Sequence, residues 1–196
     1  RESEILGADY VAFVDDDQIV EPTWLRELVK TAHEYQCDAV VGKRLPCYED
    51  GVPEWVKRSG YFRGRHFGKT GTLLNFLSTG KTPLIRLDSL KQIPGPFDAR
   101  TNLSGSEDTL LSIQFRRNGF RIVWCEESLV YERITATRAT KRWMIQRSFQ
   151  SGKNLGSAIR WEGGSVTLFV ARAARAMALI AKSVILAGLF SYRGRA

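Results

Sequence analysis

The chain has 196 residues and a mass of 22.1 kDa, with 43% hydrophobic and 11% aromatic residues. This composition supplies enough apolar side chains for a buried core, which excludes a disordered tail, a flexible linker and a collagen-like chain. The formal net charge is +8 and is unevenly distributed, because residues 133–196 contain 12 Lys and Arg against a single acid, Glu162.

The first elements along the chain alternate between strand and helix. Residues 10–14 (YVAFV) predict a short buried strand that ends at three carboxylates, Asp15, Asp16 and Asp17. Apolar residues then recur at helical spacing over residues 24–32, and residues 39–42 predict a second strand. A strand, a helix and a strand in this order indicate an α/β layered domain.

The middle of the chain loses this regular pattern. Residues 46–82 interleave Gly, Lys, Arg and aromatic residues, which predicts a long loop or a mobile lid. Beyond it we expect, in chain order, a strand over 83–87, a turn over 93–98, a helix over 107–118, and strands over 120–125 and 128–131.

The basic end of the chain predicts two further helices. The first covers about residues 140–150, and the second lies within residues 165–190, the most apolar part of the sequence. Arg172, Arg175 and Lys182 interrupt the second helix, so the apolar run is too short for a clean membrane span. At 100° per residue these cations fall within an arc of about 80°, which predicts an amphipathic helix lying in a membrane interface.

Cysteine usage and the first residue bear on the origin of the chain. Cys37, Cys47 and Cys125 are odd in number and lack the paired spacing of a zinc site, which predicts free structural thiols in a reducing compartment. The chain begins at Arg1 without a charged and then apolar leader. We interpret it as an internal fragment of a longer protein rather than a processed product.

Two acidic groups are candidates for chemistry. Asp15 and Asp17 at a strand end offer hard oxygen ligands of the kind that Mg²⁺ or Mn²⁺ prefers, although a solvated acidic turn is the alternative. Glu107 and Asp108 lie at a predicted helix start, where an acid also serves as a simple N-terminal charge. Facing a metal-bound pyrophosphate, such a carboxylate could act as a general base.

A third candidate group is basic. Arg142 and Arg147, with Trp143 between them, lie on the first of the two helices predicted at the basic end. A guanidinium group can bind phosphate oxygens through two parallel hydrogen bonds and thereby suits a diphosphate leaving group. The alternative is a solvated helix face.

The order of these motifs resembles a known family. YVAFVDDD, EPTWL, PFD, GSEDTLLS and NGFRIVW follow one another as in the family 2 glycosyltransferases of the GT-A fold, of the succinoglycan or exopolysaccharide glucosyltransferase type. The resemblance covers roughly residues 1–155. It implies a truncated, Rossmann-like mixed sheet flanked by helices, which lacks the N-terminal nucleotide-binding portion of the family.

The resemblance also implies roles for individual residues. Asp15 and Asp17 would be the DxD pair that contacts the nucleotide sugar and its metal, with Asp17 as the direct ligand. Asp108 would be the catalytic base, with Glu107 orienting the acceptor. Thr79 and Gly80 resemble the TGN segment near the donor, with Lys81 in place of Asn, and the pair Arg142 and Trp143 matches the end of a QxxRW motif in which Ala139 replaces Gln. Because of that replacement, Arg147 is an equal candidate for the diphosphate contact.

Two other classes of protein share part of this pattern. A haloacid-dehalogenase-like phosphatase also places DxD after an apolar strand, with Asp15 as nucleophile, but Ile19 stands where Thr or Val is expected. A basic nucleic-acid-binding module would explain the pI of about 9.6, yet no recognisable reader motif is present. Membrane contact explains both the charge and the apolar segment.

The sequence thus predicts a metal-dependent, inverting glycosyltransferase. It would move a sugar from a nucleotide diphosphate sugar to a hydroxyl of a lipid-linked saccharide acceptor, with Mn²⁺ or Mg²⁺ as cofactor and without nucleic acid. We divide the chain into part of the catalytic domain (1–132), a basic helical segment that completes the active site (133–164), and an amphipathic helix (165–196). That last helix would hold the protein peripherally on the cytoplasmic face of the bacterial inner membrane.

Overall fold

The computed structural model describes residues 7–77, 82–95 and 107–161, except the side chains of residues 107, 108 and 158–161. Six strands and five helices lie within these ranges. In chain order they are β1 (Tyr10–Ala12), β2 (Gln18–Val20), α1 (Trp24–Tyr35), β3 (Ala39–Tyr48), α2 (Glu54–Ser59), β4 (Leu73–Leu74), β5 (Leu84–Arg86), α3 (Leu87–Lys91), α4 (Glu107–Arg117), β6 (Ile122–Ile134) and α5 (Lys141–Trp161).

The strands form one mixed sheet in the order β1-β5-β3-β6-β2, and β4 also pairs with β6. The pair β3 and β6 is parallel, whereas the other pairs are antiparallel. Since β5 runs antiparallel to both of its neighbours, β1, β3 and β6 point the same way and end at the same edge of the sheet. The acidic loop after β1 therefore lies at the edge where β3 and β6 also end.

Alternating side chains bury both faces of the sheet. On one face Val41, Ile85 and Trp124 pack against Leu111 and Phe115 of α4. On the other face the neighbouring residues pack against α1, in a cluster formed by Leu28, Ala32, Cys37, Val40, Leu84, Val123 and Cys125. Helices on both faces of a mixed sheet confirm the predicted α/β class.

The parallel pair of long strands contains a bulge. Val41 pairs with Trp124 but Lys43 pairs with Leu129, so β6 carries three extra residues opposite Gly42. A Cβ atom on Gly42 would lie 2.9 Å from the Ser128 Oγ atom and 3.0 Å from its carbonyl oxygen. Glycine is therefore required where β3 passes the bulge.

A third apolar cluster attaches α5 to the sheet. It contains Val52, Val56, Phe62, Ile134 and Ala139, with Trp143 packed against it. The ring centroids of Phe62 and Trp143 are 5.9 Å apart. The start of α5 is consequently held beside the end of β6.

Several predicted boundaries were wrong. The stretch 46–82 is not a continuous loop, because β3 extends to Tyr48 and the stretch contains α2 and β4. The strands expected over 120–125 and 128–131 are one strand, and the helix expected to end near residue 150 continues to Trp161. β6 ends at Ile134.

Within the described residues, none of the helices combines the length and the apolar composition that a membrane crossing requires. The amphipathic helix predicted for residues 165–196 lies outside this part of the chain.

Candidate functional site

A tight turn places the acidic loop between β1 and β2. The backbone N–H of Asp15 donates to Gln18 Oε1 at 3.2 Å, and Gln18 Nε2 donates back to Asp15 Oδ2 at 3.1 Å. The backbone N–H of Gln18 also donates to the Asp15 carbonyl oxygen at 3.1 Å. These bonds reverse the chain within four residues and allow β2 to pair with the end of β6.

Asp17 lies against the basic end of the chain. Its backbone carbonyl accepts a hydrogen bond from the N–H of Arg133 at 3.1 Å, and its carboxylate accepts one from the Arg138 guanidinium at 2.5 Å. The same guanidinium lies 3.8 Å from a carboxylate oxygen of Glu132. One arginine thus bridges the predicted metal ligand and the end of β6.

Glu132 is the most buried acid of this cluster. Its side chain is 17% exposed and forms an ion pair with Arg44 of β3. Burial raises the pKa of Glu132, the cation of Arg44 lowers it, and the negative charge of Asp17 raises it again. Asp17, Glu132, Arg44 and Arg138 therefore form one electrostatically coupled cluster.

The donor atoms of this cluster suit a divalent cation, because carboxylate oxygens are the ligands that Mg²⁺ and Mn²⁺ prefer. Nevertheless, no group of three or more His, Cys, Asp or Glu is gathered in metal-binding geometry within the described residues. The Asp17 carboxylate is paired with Arg138 instead. A cation at Asp17 would have to compete with that guanidinium.

The three residues predicted to contact the diphosphate lie in different surroundings on α5. Arg142 and Arg147 are exposed, whereas Trp143 is half-buried in the cluster around Phe62. Among the described ion pairs it is Arg138, three residues before the helix, that contacts the acidic loop. The roles of Arg142, Trp143 and Arg147 stay predictions.

Four other predicted site residues cannot be placed in this way. Thr79 and Gly80 lie outside the described residues, and the side chains of Glu107 and Asp108 are not described, although α4 begins at Glu107. The backbone N–H of Leu77 donates to Ser112 Oγ at 3.0 Å, which ties the chain just before Thr79 to α4.

Thr82, directly after that segment, has a strained backbone. Its φ is 47°, which is uncommon for a β-branched residue, and its side chain is fully buried with an unpaired hydroxyl. Such strain persists only where the surrounding structure enforces it, and it concentrates at functional sites. Nothing in the sequence indicated it.

A second polar cluster lies in the stretch predicted as a lid. Glu126 in the β6 bulge accepts from Trp124 Nε1 at 3.1 Å, lies 3.1 Å from His66 Nε2, and forms an ion pair with Lys43. A neighbouring cavity of about 440 Å³ is lined by His66, Gly68, Lys69, Thr70, Glu126 and Glu127. His66 thus helps to fix the bulge.

The sequence missed Glu132 and Arg138 as members of the site. A signal for Glu132 existed, since it is an acid near the end of a long, mostly apolar run, just as Asp15 and Asp17 follow the apolar run YVAFV. Arg138 gave no signal, because it is one of many cations in a basic region and its contact spans 121 positions.

The three cysteines are free, as predicted, and Cys37 and Cys125 are buried. Burial raises the pKa of the Cys37 thiol to about 11 and also raises the pKa of Cys125. The Thr31 hydroxyl donates to the Cys125 sulfur at 3.2 Å. Both buried thiols are therefore held in the neutral form.

Comparison with known proteins gives a family and curated relatives. The family described as Glycosyl transferase family 2 matches residues 4–93. The succinoglycan biosynthesis protein ExoM of Rhizobium meliloti (strain 1021) is 32% identical over 150 residues, which cover 76% of this chain and 47% of that protein. The glucosyl-dolichyl phosphate glucuronosyltransferase of Haloferax volcanii is 26% identical over 167 residues, covering 76% and 51% respectively.

The chain spans about half the length of these curated relatives. Among solved structures, S. aureus TarS (residues 1–349) in complex with UDP-GlcNAc matches with a TM-score of 0.44 and 20% identity, over 65% of this chain and 35% of that one. A likeness at that score is too weak to support a conclusion about this chain.

Proposed function

We propose that the chain is part of a family 2 glycosyltransferase with the GT-A fold, and the match of residues 4–93 to that family supports this. The enzyme transfers a sugar from a nucleotide diphosphate sugar to a hydroxyl of a saccharide acceptor, in bacterial surface or exopolysaccharide synthesis. The relative in Rhizobium meliloti is a succinoglycan biosynthesis protein, which supports this class of product.

One observation carries the proposal. Asp17, at the end of the DxD loop, meets Arg138 at 2.5 Å, so the acidic loop and the basic segment adjoin at one edge of the sheet. A transferase for nucleotide diphosphate sugars needs these two kinds of group together, because the metal and the cations neutralise a diphosphate that departs with negative charge. A solvated acidic turn would not require a cation from 121 positions away.

Each group has the role that its charge and the resemblance to the family imply. Asp15 and Asp17 would hold a divalent cation, Mn²⁺ or Mg²⁺, whose chemistry would be to neutralise the charge of the diphosphate. Arg138, together with Arg142 or Arg147, binds the departing phosphate oxygens, while Thr79 and Gly80 line the donor site. Asp108 takes the proton of the attacking hydroxyl as general base, with Glu107 orienting the acceptor, so that a single displacement inverts the anomeric centre.

The location of the enzyme is part of the same proposal. Residues 133–164 complete the active site, and residues 165–196 form an amphipathic helix that lies on the cytoplasmic face of the bacterial inner membrane. A peripheral protein placed there would reach a lipid-linked acceptor. The partners are thus the nucleotide sugar, the acceptor and an anionic membrane surface, without nucleic acid.

The test compares neighbouring carboxylates in the full-length protein that contains this chain. Release of nucleoside diphosphate is measured over a panel of nucleotide sugars, with Mn²⁺ and with a chelator, for wild type, Asp17→Asn and Asp16→Asn. We expect chelation and Asp17→Asn to lower kcat/KM by about 10²-fold or more, while Asp16→Asn keeps most of the activity. Full activity of Asp17→Asn would overturn the assignment.

A further inference from the structure

Helix α5 exposes two large apolar side chains to solvent. Ile145 is 69% exposed and Phe149 is 75% exposed, and they are four residues apart on one face of the helix. Leu155, a turn and a half further along, is 38% exposed. We call the face that carries Ile145 and Phe149 the outer face of α5.

Contacts with the rest of the protein fix the rotation of this helix. Trp143 packs against Phe62, and the Tyr61 hydroxyl lies 3.1 Å from both the Met144 carbonyl oxygen and the Ser148 Oγ atom. At 100° per residue, Ile145 and Phe149 lie about 160° and about 120° around the helix from Trp143. The outer face therefore points away from the sheet because the inner face is anchored.

Cations surround the outer face. Lys141, Arg142 and Lys153 lie within about 60° of its centre, whereas Arg147 lies on the same side of the helix as Trp143. The helix contains no acidic residue over its whole length. Apolar side chains at the centre with cations at the rim are typical of helices that lie in the interface of an anionic bilayer.

We propose that the outer face of α5 docks on an anionic lipid bilayer, with Ile145 and Phe149 inserted between the headgroups and Lys141 and Lys153 on the lipid phosphates. The positive charge around this face determines which partner can cover it. Residues 162–196 of this chain contain five Lys and Arg against one acid, and a second copy of α5 is equally basic, so both would be repelled by the rim.

Nucleic acid is also anionic, but it would leave the centre of the face unpaired. The affinity of a protein for nucleic acid comes mainly from cations that contact the phosphates. Two apolar side chains would add nothing to such contacts. A bilayer binds the rim and the centre at once. The inference rests on the peripheral location proposed above, adds a membrane contact distinct from residues 165–196, and does not depend on sugar transfer.

The test is vesicle flotation of the full-length protein. Phosphatidylcholine vesicles with and without phosphatidylglycerol are compared for wild type, the double variant Ile145→Ser/Phe149→Ser, and the double variant Lys141→Gln/Lys153→Gln. Leu73→Ser is the matched control, because Leu73 is 63% exposed on β4, away from α5. Circular dichroism verifies that each variant is folded.

We expect the apolar double variant to lower the partition coefficient about tenfold or more on both kinds of vesicle. The charge variant should lower it about fivefold per cation removed, and only on vesicles that contain phosphatidylglycerol. Leu73→Ser should float as wild type does, and all variants should keep transfer to a water-soluble acceptor if wild type has it.

Three outcomes would overturn the inference. Equal flotation of wild type and the apolar double variant would assign membrane binding elsewhere in the protein. Wild type that does not float would refute the membrane location itself, whatever the transfer assay gives. Loss of self-association or of an RNA shift in the apolar double variant, with flotation unchanged, would assign the face to a second copy or to nucleic acid.

Discussion

The Arg138 guanidinium donates to the Asp17 carboxylate at 2.5 Å, across 121 positions of sequence. This contact joins the loop after β1 to the turn before α5, two segments of opposite charge. The Arg138 side chain is 35% exposed and the Asp17 side chain 28%, so water partly screens the pair. A divalent cation at Asp17 would therefore have to compete with Arg138 for one carboxylate.

That competition gives the first prediction. Replacing Arg138 by Gln should raise the affinity of the protein for Mn²⁺ by up to about fivefold, because a positive charge leaves the Asp17 carboxylate. Electron paramagnetic resonance of free Mn²⁺ measures this directly. Arg133→Gln is the control, since Arg133 pairs with Glu49 at 2.8 Å instead. Unchanged Mn²⁺ affinity in Arg138→Gln would show that the metal does not use Asp17.

The second prediction concerns the bulge in β6. Gly42→Ala should lower the free energy of unfolding by about 1–3 kcal/mol, because its Cβ would overlap the Ser128 carbonyl oxygen and Oγ. Gly152→Ala is the matched control, as nothing lies within 4 Å of a Cβ there. In the middle of α5 this change should stabilise by about 0.5–1 kcal/mol. Urea denaturation measures the free energy of unfolding of both variants. Equal changes in that free energy would contradict the close packing at the bulge.

Helices and strands were predictable from the sequence wherever the burial of one or both faces gives the apolar residues a recognisable pattern. The apolar spacing of α1 and of α4 marked both helices within a few residues of their bounds. The apolar runs of β1, of β5 and of the start of β3 marked the strands that cross the buried part of the sheet. In each case one or both faces of the element pack on a core cluster, so the pattern is a direct consequence of burial.

Elements without such burial were missed. β2 has only three residues and exposes Ile19, and its hydrogen bonds to β6 depend on the turn at Asp15. The three extra residues of β6 interrupt its alternation, which made one strand read as two. Site residues divide in the same way: the position of Asp17 at a strand end was predictable, whereas its partner Arg138 depends on how distant segments meet.

The third prediction uses the thiols. Because burial raises the pKa of folded Cys37 to about 11, the neutral thiol is the favoured form, and its contribution to stability is complete below its ordinary pKa and is lost as pH rises through about 11. At neutral pH iodoacetamide should therefore label exposed Cys47 and spare Cys37 and Cys125. Mass spectrometry should find one adduct in native protein and three in urea. Three adducts in native protein would contradict the buried positions.

The last prediction concerns the two acids at the start of α4. In the full-length protein, Asp108→Asn should lower kcat by about 10²-fold or more while donor binding, measured by calorimetry, stays within about twofold of wild type. A general base acts on the acceptor hydroxyl in the transition state, so removing its proton affinity leaves ground-state binding of the donor intact.

Glu107→Gln is the control that distinguishes a general base at Asp108 from a simple charge effect, because Glu107 and Asp108 carry the same charge at the same end of α4. If Glu107 only orients the acceptor, Glu107→Gln should raise the KM for the acceptor and leave kcat unchanged. Both substitutions remove one negative charge from the start of α4, so any effect of that charge on the helix should be the same in the two variants. Should the two substitutions lower kcat equally, the loss would come from charge at the helix start and not from a base. An experimental structure with bound nucleotide sugar adds a geometric check: carboxylates of Asp17 and Asp108 more than about 12 Å apart could not share one diphosphate and acceptor.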